Sequence, residues 1–156
     1  MITYILGTIN FPETINEMYI GKENSAPRFK HTFSGECYIE IRDDEGSSIP
    51  HIHITSKPND YVDSKGRKRT FKCCVQLFKN EFFTHGSKMD ELHPKDWKVL
   101  DDWMRKPVSK DSPLSNWERA REIWFNKFDH DYLKNNEPLD TEHQPDYTTI
   151  LPYKKK

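Results

Sequence analysis

Two short stretches in the middle of the chain alternate apolar and polar side chains residue by residue. Cys37 to Arg42 shows this alternation, and His51 to Thr55 repeats it after an acidic segment with Gly and Ser, residues 43–48. A period of two is typical of half-buried β-strands, and such a polar segment is typical of a turn, so these residues predict a β-hairpin. Phe71 to Phe78 and Glu81 to Thr84 predict two further strands, which extend the hairpin into an antiparallel β-meander.

Near the N-terminus, the pattern predicts a strand followed by a helix. Thr3 to Ile9 predicts the strand. Beyond it, Phe11, Ile15 and Met18 recur at helical spacing, and Gly21 provides a stop signal. We therefore expect one amphipathic helix between the first strand and a loop that begins at Gly21.

The pattern changes to a helical period in the C-terminal half of the chain. Pro94 occupies a favoured first helical position, and apolar side chains follow on one face, at Trp97, Leu100 and Met104. Pro107 ends this helix because its ring blocks continuation. Ser115 and Glu118 match a capping box, in which the serine accepts a backbone hydrogen bond and the glutamate reaches back, so a second helix is expected to begin there.

Together these elements predict an α+β fold, in which an antiparallel β-meander sheet carries helices packed on one face, since their apolar stripes need a surface to bury. A chain of 156 residues suits one domain, which we assign to residues 1–150, followed by a basic tail at 151–156. Aromatic residues make up 13% of the chain and supply large apolar surfaces for a core. The Pro-rich acidic segment from Asn135 is expected to extend over the surface.

Net charge, the length of apolar runs and the cysteine count together predict the compartment of the protein and its lack of a membrane partner. A formal net charge of -1 creates no overall field that would recruit nucleic acid or anionic lipid. No apolar run approaches the roughly 18 residues that span a bilayer, and the N-terminus lacks the basic region and cleavage site of a secretion signal. Three cysteines form no disulfide framework and fit a reducing compartment. We predict a cytoplasmic protein with no membrane partner.

The strand from Pro50 to Thr55 is the clearest candidate for chemistry, because alternation places His51, His53 and Thr55 on one face. Two imidazoles in this arrangement can share a divalent metal ion such as Zn or Mn, or one can act as acid or base near neutral pH. A catalytic metal needs a third protein ligand, for which His85 is the leading candidate, followed by His31, Asp43 and Glu45. Alternatively, both histidines lie on a polar face and only bond to neighbours.

A two-histidine phosphoesterase is a related possibility, with one histidine as base and the other as acid in a pair of His-x-Thr/Ser motifs. His53-Ile54-Thr55 and His85-Gly86-Ser87 match the motifs, so the candidate catalytic set is His51, His53, Thr55 and His85. Short motifs of this kind also arise by chance in a chain with seven histidines. The chain has no Gly-rich phosphate loop or dinucleotide fingerprint, so no cofactor beyond a metal is expected.

A dense basic run lies in the long polar connection between Lys57 and Thr70. Its cations are Lys65, Arg67, Lys68 and Arg69. Beside Tyr61, they could hold phosphate or single-stranded nucleic acid through charge and stacking. Alternatively, they keep a solvated loop at a sheet edge soluble. The adjacent Cys73 and Cys74 point to opposite faces of a strand, which predicts packing rather than a shared metal ion.

Pro50-His51-Ile52-His53-Ile54 resembles the hairpin of a family of small bacterial and phage proteins of unknown function. These proteins carry a Pro-His-x-His-hydrophobic hairpin and are often encoded near toxin–antitoxin modules. The likeness extends over roughly the second two-thirds of the chain, through Cys74 to Gly86, Trp97 to Trp103 and Asn116 to Asn126. The resemblance implies a compact α+β fold and a mobile-element setting. It implies no established activity, so no catalytic residue is transferred from it.

Three functions remain open, and the sequence leaves undecided whether the chain is an enzyme. The leading interpretation is a non-enzymatic interaction factor of a phage or mobile element, with a protein partner and a role in modulating host defence. It is favoured because no complete catalytic set is evident. The first alternative is a small histidine-dependent phosphodiesterase or hydrolase, either metal-dependent or of the two-histidine type. The second alternative is a nucleic-acid-binding domain that uses the basic loop 65–72.

Overall fold

A computed structural model describes most of the chain, in separate ranges. They are residues 3–11, 17–19, 28–30, 35–42, 49–62, 65–83, 89–90, 92, 94–127 and 139–150. The predicted turn at 43–48, with Asp43 and Glu45, lies outside these ranges, as do His31, His85 and the tail at 151–156.

The described residues form eight strands, two α-helices and one 3-10 helix. In chain order they are β1 (Thr3–Phe11), β2 (Glu17–Tyr19), β3 (Arg28–Lys30), β4 (Gly35–Arg42), β5 (His51–Ser56), β6 (Tyr61–Val62), β7 (Lys68–Arg69), β8 (Lys72–Gln76), α1 (Pro94–Arg105), α2 (Asn116–Lys127) and the 3-10 helix Tyr147–Thr149. This composition confirms the predicted α+β class.

Four antiparallel strands form the main sheet in the order β1-β4-β5-β8, so neighbours in space follow the order of the chain. The predicted hairpin is confirmed, with Ile39 of β4 opposite Ile54 of β5. Alternate residues of β4 are fully buried, whereas β5 is buried at nearly every position. A central strand covered on both faces follows this second pattern, so β5 lies at the centre of the fold.

The N-terminal helix predicted from Phe11 to Gly21 is wrong. Phe11 continues β1, and β2 pairs with β3 as a separate two-stranded sheet that places Met18 opposite Phe29. Three apolar residues at helical spacing are too short a pattern to separate a helix from a strand. The hydrogen bonds of β2 are supplied by the next strand, β3, and the pattern of residues 11–21 alone contains no sign of that pairing.

A small hairpin interrupts the polar connection that was predicted to be a loop. β6 pairs with β7, and Gly66 adopts a φ of 75° between them, a conformation that glycine tolerates best. The Arg69 guanidinium binds both carboxylate oxygens of Asp90, with one N–O distance of 2.8 Å, and lies 4.7 Å above the ring of Tyr61. Part of the basic run therefore stabilises the fold.

The chain turns back after β8, but the strand predicted from Glu81 to Thr84 is reduced to one β-bridge in the described residues, between Val75 and Phe82. The Phe83 backbone N–H donates to the carbonyl of Cys74 at 2.9 Å. Thr84 lies outside the described ranges. This return places the ring of Phe83 against the ring of His51 in β5.

Both C-terminal helices form where the sequence predicted them. The capping box of α2 is confirmed, because the Glu118 N–H donates to Ser115 Oγ at 3.1 Å and the Ser115 N–H donates to Glu118 Oε1 at 3.0 Å. α1 packs on β1, where a Cβ at Gly7 would lie 2.8 Å from the indole of Trp103. The packing of both helices on one sheet face stays a prediction. Of the helices in the described ranges, none is long and apolar enough to cross a membrane.

The C-terminal segment enters the core, which corrects the expectation that it extends over the surface. Tyr147 and Ile150 are both buried. The Tyr147 hydroxyl donates to the Leu77 carbonyl at 2.9 Å, and Trp117 Nε1–H donates to the same carbonyl, also at 2.9 Å. A single backbone oxygen just after β8 therefore joins α2 and the C-terminal segment to the sheet. Its two donors are far apart in sequence, so no local pattern predicted them.

We expect Tyr147→Phe to lower the free energy of unfolding by about 0.5–1.5 kcal/mol, the usual net contribution of one hydrogen bond. The loss stays small because Trp117 still satisfies the Leu77 carbonyl. Urea denaturation of both proteins measures the difference. Tyr38→Phe, at a half-buried tyrosine of β4, is the control. Equal losses in the two variants would contradict a specific role for the Tyr147 hydroxyl.

One acidic side chain is buried without a hydrogen bond to one of its oxygens. Asp96, in the first turn of α1, is 1% exposed, and its Oδ1 has no partner among the described residues. Burial disfavours the charged carboxylate and raises the pKa of Asp96 from 3.8 to about 7. Between these two values the folded state binds more protons than the unfolded state, so the free energy of unfolding falls as pH rises and levels off above about 7.

Asp96→Asn is expected to remove this pH dependence, because the amide stays neutral. We expect the variant to be more stable than the wild type by about 1–3 kcal/mol at pH 8 and to differ little at pH 4. Urea denaturation at the two pH values tests this, with Asp102→Asn as the control on an exposed carboxylate of the same helix. The same stability difference at both pH values would show that ionisation of Asp96 is not the cause.

Candidate functional site

The structure brings the two histidines of β5 together. Their rings lean towards each other along one side of the strand, so that His51 Nε2 and His53 Nε2 are 3.2 Å apart and the ring centroids 5.0 Å apart. Both side chains are buried, with exposed fractions of 1% and 4%. The pair is thus an internal polar contact and not part of a solvated hairpin face.

The ring of His51 is held on two sides. Its Nδ1 lies 2.6 Å from the carbonyl oxygen of Ile49, and since a carbonyl only accepts, Nδ1 carries the proton. The ring stacks on Phe83 with a centroid distance of 4.2 Å and an angle of 29° between the planes, and Trp124 of α2 lies at 6.0 Å. These contacts fix both the tautomer and the direction of Nε2.

The ring of His53 lies between two neighbouring strands. Cys74 of β8 is directly opposite it on one side, and Glu40 of β4 is directly opposite on the other. Cys74 Sγ is 3.3 Å from His53 Nδ1. Directly paired residues in an antiparallel sheet project from the same face, so the three side chains form one row across the sheet.

The hydrogen-bond partners determine where the protons lie. In neutral His51 the proton on Nδ1 leaves Nε2 as an acceptor, so His53 Nε2 must donate to it. Neutral His53 then accepts at Nδ1, and the thiol of Cys74 is the donor. The described contacts form a directed chain from Cys74 through His53 and His51 to the carbonyl of Ile49.

Glu40 adds an acidic group to the row. Burial raises the pKa of its carboxyl, while the guanidinium of Arg42, 3.8 Å away, lowers it less strongly. The sequence gives no sign of a site role for Glu40, because its position in β4 is that of an ordinary polar strand residue. Only the register of β4 and β5 places it next to His53.

Cys74 is the other site residue that sequence reasoning missed. The cysteine pair was predicted to pack on opposite faces, and Cys73 does lie in the hydrophobic core. Cys74 instead contacts a ring nitrogen of His53. This contact depends on the pairing of β5 with β8 across the intervening hairpin, and no local sequence signal reports that register.

The other members of the predicted catalytic set are placed differently. Thr55 is half-buried near the end of β5, between Tyr38 and Lys72 of the neighbouring strands. His85 lies outside the described ranges, and the second His-x-Ser motif with it. Within the described residues, no group of three or more His, Cys, Asp or Glu side chains could hold a metal ion.

The predicted basic surface belongs to the β6–β7 hairpin. This hairpin follows Ser56, at the opposite end of β5 from His51. Lys65, Arg67 and Lys68 are exposed there. Arg69 pairs with Asp90 and covers Tyr61, whose ring also contacts Phe71 edge-on at 5.4 Å. Arg69 and the predicted stacking platform, Tyr61, therefore take part in contacts within the protein.

An open surface cleft of about 360 Å³ lies between the start of α2 and the segment 142–144. Its lining side chains are engaged in structural contacts. Arg105 pairs with Asp101, and Glu118 closes the capping box. The histidine pair is not part of its lining.

Comparison of the chain with family models, curated proteins and solved structures finds no match. The resemblance of the Pro50 to Ile54 segment to a phage and bacterial family therefore stays a prediction, and the site must be interpreted from its own geometry.

We expect long-range ¹H–¹⁵N NMR at neutral pH to show His51 as the Nδ1–H tautomer and His53 as the Nε2–H tautomer. The carbonyl of Ile49 fixes the first, and the contact between the two Nε2 atoms then fixes the second. His143, whose ring is exposed, provides a reference for a solvated imidazole. Two histidines in the same tautomer would contradict the directed chain.

Proposed function

We propose that this protein binds a divalent metal ion, zinc in particular, and that His51 and His53 supply two ligands through Nε2. The observation that carries the proposal is the 3.2 Å separation of these two atoms. Nitrogen ligands about 2.0–2.1 Å from a tetrahedral zinc ion lie about 3.3 Å apart. The ion would therefore replace the proton between the rings with little movement of either side chain.

The surroundings of the rings support this proposal. A histidine that binds a metal usually donates its other ring N–H to a carbonyl or carboxylate, which fixes the ring and makes the ligand more basic. His51 already makes this contact with Ile49. Stacking on Phe83 holds its ring in place, so part of the entropy cost of ordering the ligand is met before the metal arrives.

The chemistry of the bound ion depends on its remaining ligands. We propose His85 as the third ligand, as predicted from the sequence. Three protein ligands leave a fourth position for water, which zinc activates for hydrolysis, whereas four close the site and make it structural. The burial of both histidines favours a closed site that stabilises the fold, and hydrolysis would require an opening that admits substrate.

The other interpretations have less support. In a two-histidine phosphoesterase, His53 would have to point at a phosphate, but its Nε2 faces His51. A nucleic-acid surface would need Arg69 and Tyr61, which make internal contacts. An interaction factor would need an apolar docking patch, and among the described residues the exposed large hydrophobic side chains are Ile5 and Val62, in different sheets. These functions stay predictions.

Zinc binding by the untagged protein tests the proposal. We expect about one tightly bound zinc ion per chain, measured by elemental analysis and by competition with a chromophoric chelator. His51→Gln and His53→Gln are each expected to weaken the affinity at least about tenfold, because each removes a ligand. His85→Gln tests the third ligand in the same way.

The control for these variants is His143→Gln, at an exposed histidine next to Asp140. It should bind zinc as the wild type does, and circular dichroism should show that all variants fold. If the wild type binds no more zinc than the His51→Gln variant, the pair is a hydrogen-bonded element of the core and the proposal is wrong.

A further inference from the structure

We infer that the outer edge of β1 pairs with β1 of a second copy of this chain, so that two four-stranded sheets join into one sheet of eight strands. A twofold axis relates the two copies, and the two β1 strands run antiparallel. Of the strands that the structure describes, β4 alone pairs with β1, which makes β1 an edge strand of the main sheet. The inference does not depend on the proposed metal site.

The two edges of the main sheet differ in how they are covered. At the outer edge of β8, the Gln76 N–H donates to the carbonyl of Glu81 at 2.9 Å. The Phe83 N–H donates to the carbonyl of Cys74, also at 2.9 Å, so the segment after β8 covers that edge. In the described part of the chain, no segment covers β1 in this way. A nine-residue edge strand with open backbone groups is able to pair with another strand.

The side chains of β1 favour such pairing. Edge strands of monomeric proteins commonly carry lysine, proline or an inward-pointing charge, each of which hinders a second strand. The sequence of β1, from Thr3 to Phe11, contains no charged residue and no proline. Ile5 is 54% exposed, although large apolar side chains of the sheet are otherwise mostly buried. An uncharged strand brings no like charges together when it pairs with its own copy, so a second copy of this chain fits this edge.

The two faces of β1 determine the register of the pair. Directly paired residues project from the same face, and Ile5 and Thr8 are opposite half-buried residues of β4, whereas Tyr4 and Ile9 are opposite fully buried ones. When Ile5 is opposite the partner's Thr8, Tyr4 is opposite the partner's Ile9, so both pairs keep matching faces. The irregularity between Ile5 and Gly7 then lies at the twofold axis, with regular pairs on either side.

Sedimentation equilibrium of the full chain tests the inference. We expect a dimer with a dissociation constant of about 1–100 µM, because the edge of a single strand is a small interface compared with the roughly 800 Å² per partner of a standard one. A chain that is still monomeric at about 1 mM would overturn the inference.

Two double variants test the position and the register of the interface. Ile5→Lys with Thr8→Lys places lysine opposite lysine in the proposed register, and we expect dimerisation to weaken at least about tenfold. Ile5→Lys with Thr8→Glu places lysine opposite glutamate, and we expect an affinity within about threefold of the wild type. The control is Val62→Lys, at an exposed apolar residue of β6, which should leave dimerisation unchanged. Equal affinities of the two double variants would contradict the register.

Amide hydrogen exchange of the wild type tests the same interface without substitution. We expect backbone amides between Thr3 and Asn10 to exchange more slowly at high than at low protein concentration, because the partner strand protects those at the outer edge. Amides of β5, at the centre of the sheet, are the internal control and should not change. A dimer whose β1 amides exchange equally at both concentrations uses another surface and would overturn the inference.

Discussion

The antiparallel register of β5 between β4 and β8 is the constraint on which the site depends. It places Glu40 and Cys74 on either side of His53, and it sets His51 opposite Gln76. A shift of one residue would turn both histidines to the other face of β5 and exchange them for Ile52 and Ile54. Because those isoleucines are fully buried in the hydrophobic core, such a shift is costly. The core therefore holds the polar row in place.

The sequence predicted what is encoded locally. Alternation identified β4 and β5 and put His51 and His53 on one side, and Ser115 with Glu118 located the start of α2. The parts that it missed depend on contacts between distant residues. The C-terminal segment enters the core, where Tyr147 bonds to the carbonyl of Leu77, 70 residues away in the chain. The strand β2 was missed because its pairing with the next strand, β3, leaves no mark in its own short segment. No short pattern contains such information, since each partner is ordinary in its own neighbourhood.

The candidate site likewise has one part that the sequence predicts and another that depends on contacts between separate elements. The distance of two residues between His51 and His53 is visible in the sequence, but their convergence to 3.2 Å is a property of side-chain packing against Phe83 and Trp124. The positions of Glu40 and Cys74 beside His53 follow from strand pairing. In the basic run, Arg69 pairs with Asp90, a contact between residues far apart in sequence that the local concentration of charge did not indicate. The role of the run as a ligand surface stays a prediction.

The burial of His51 and His53 also explains why the protons on their ring nitrogens must be ordered. A polar group removed from water is costly unless it has a partner, and a chain that ends at the Ile49 carbonyl gives each ring nitrogen one. Such a chain can run in only one direction while both rings are neutral, since the carbonyl always accepts. The proposed metal ion between the two Nε2 atoms would need an acceptor on each ring, so the ring proton of His53 would have to lie on Nδ1, the nitrogen on the side of Cys74.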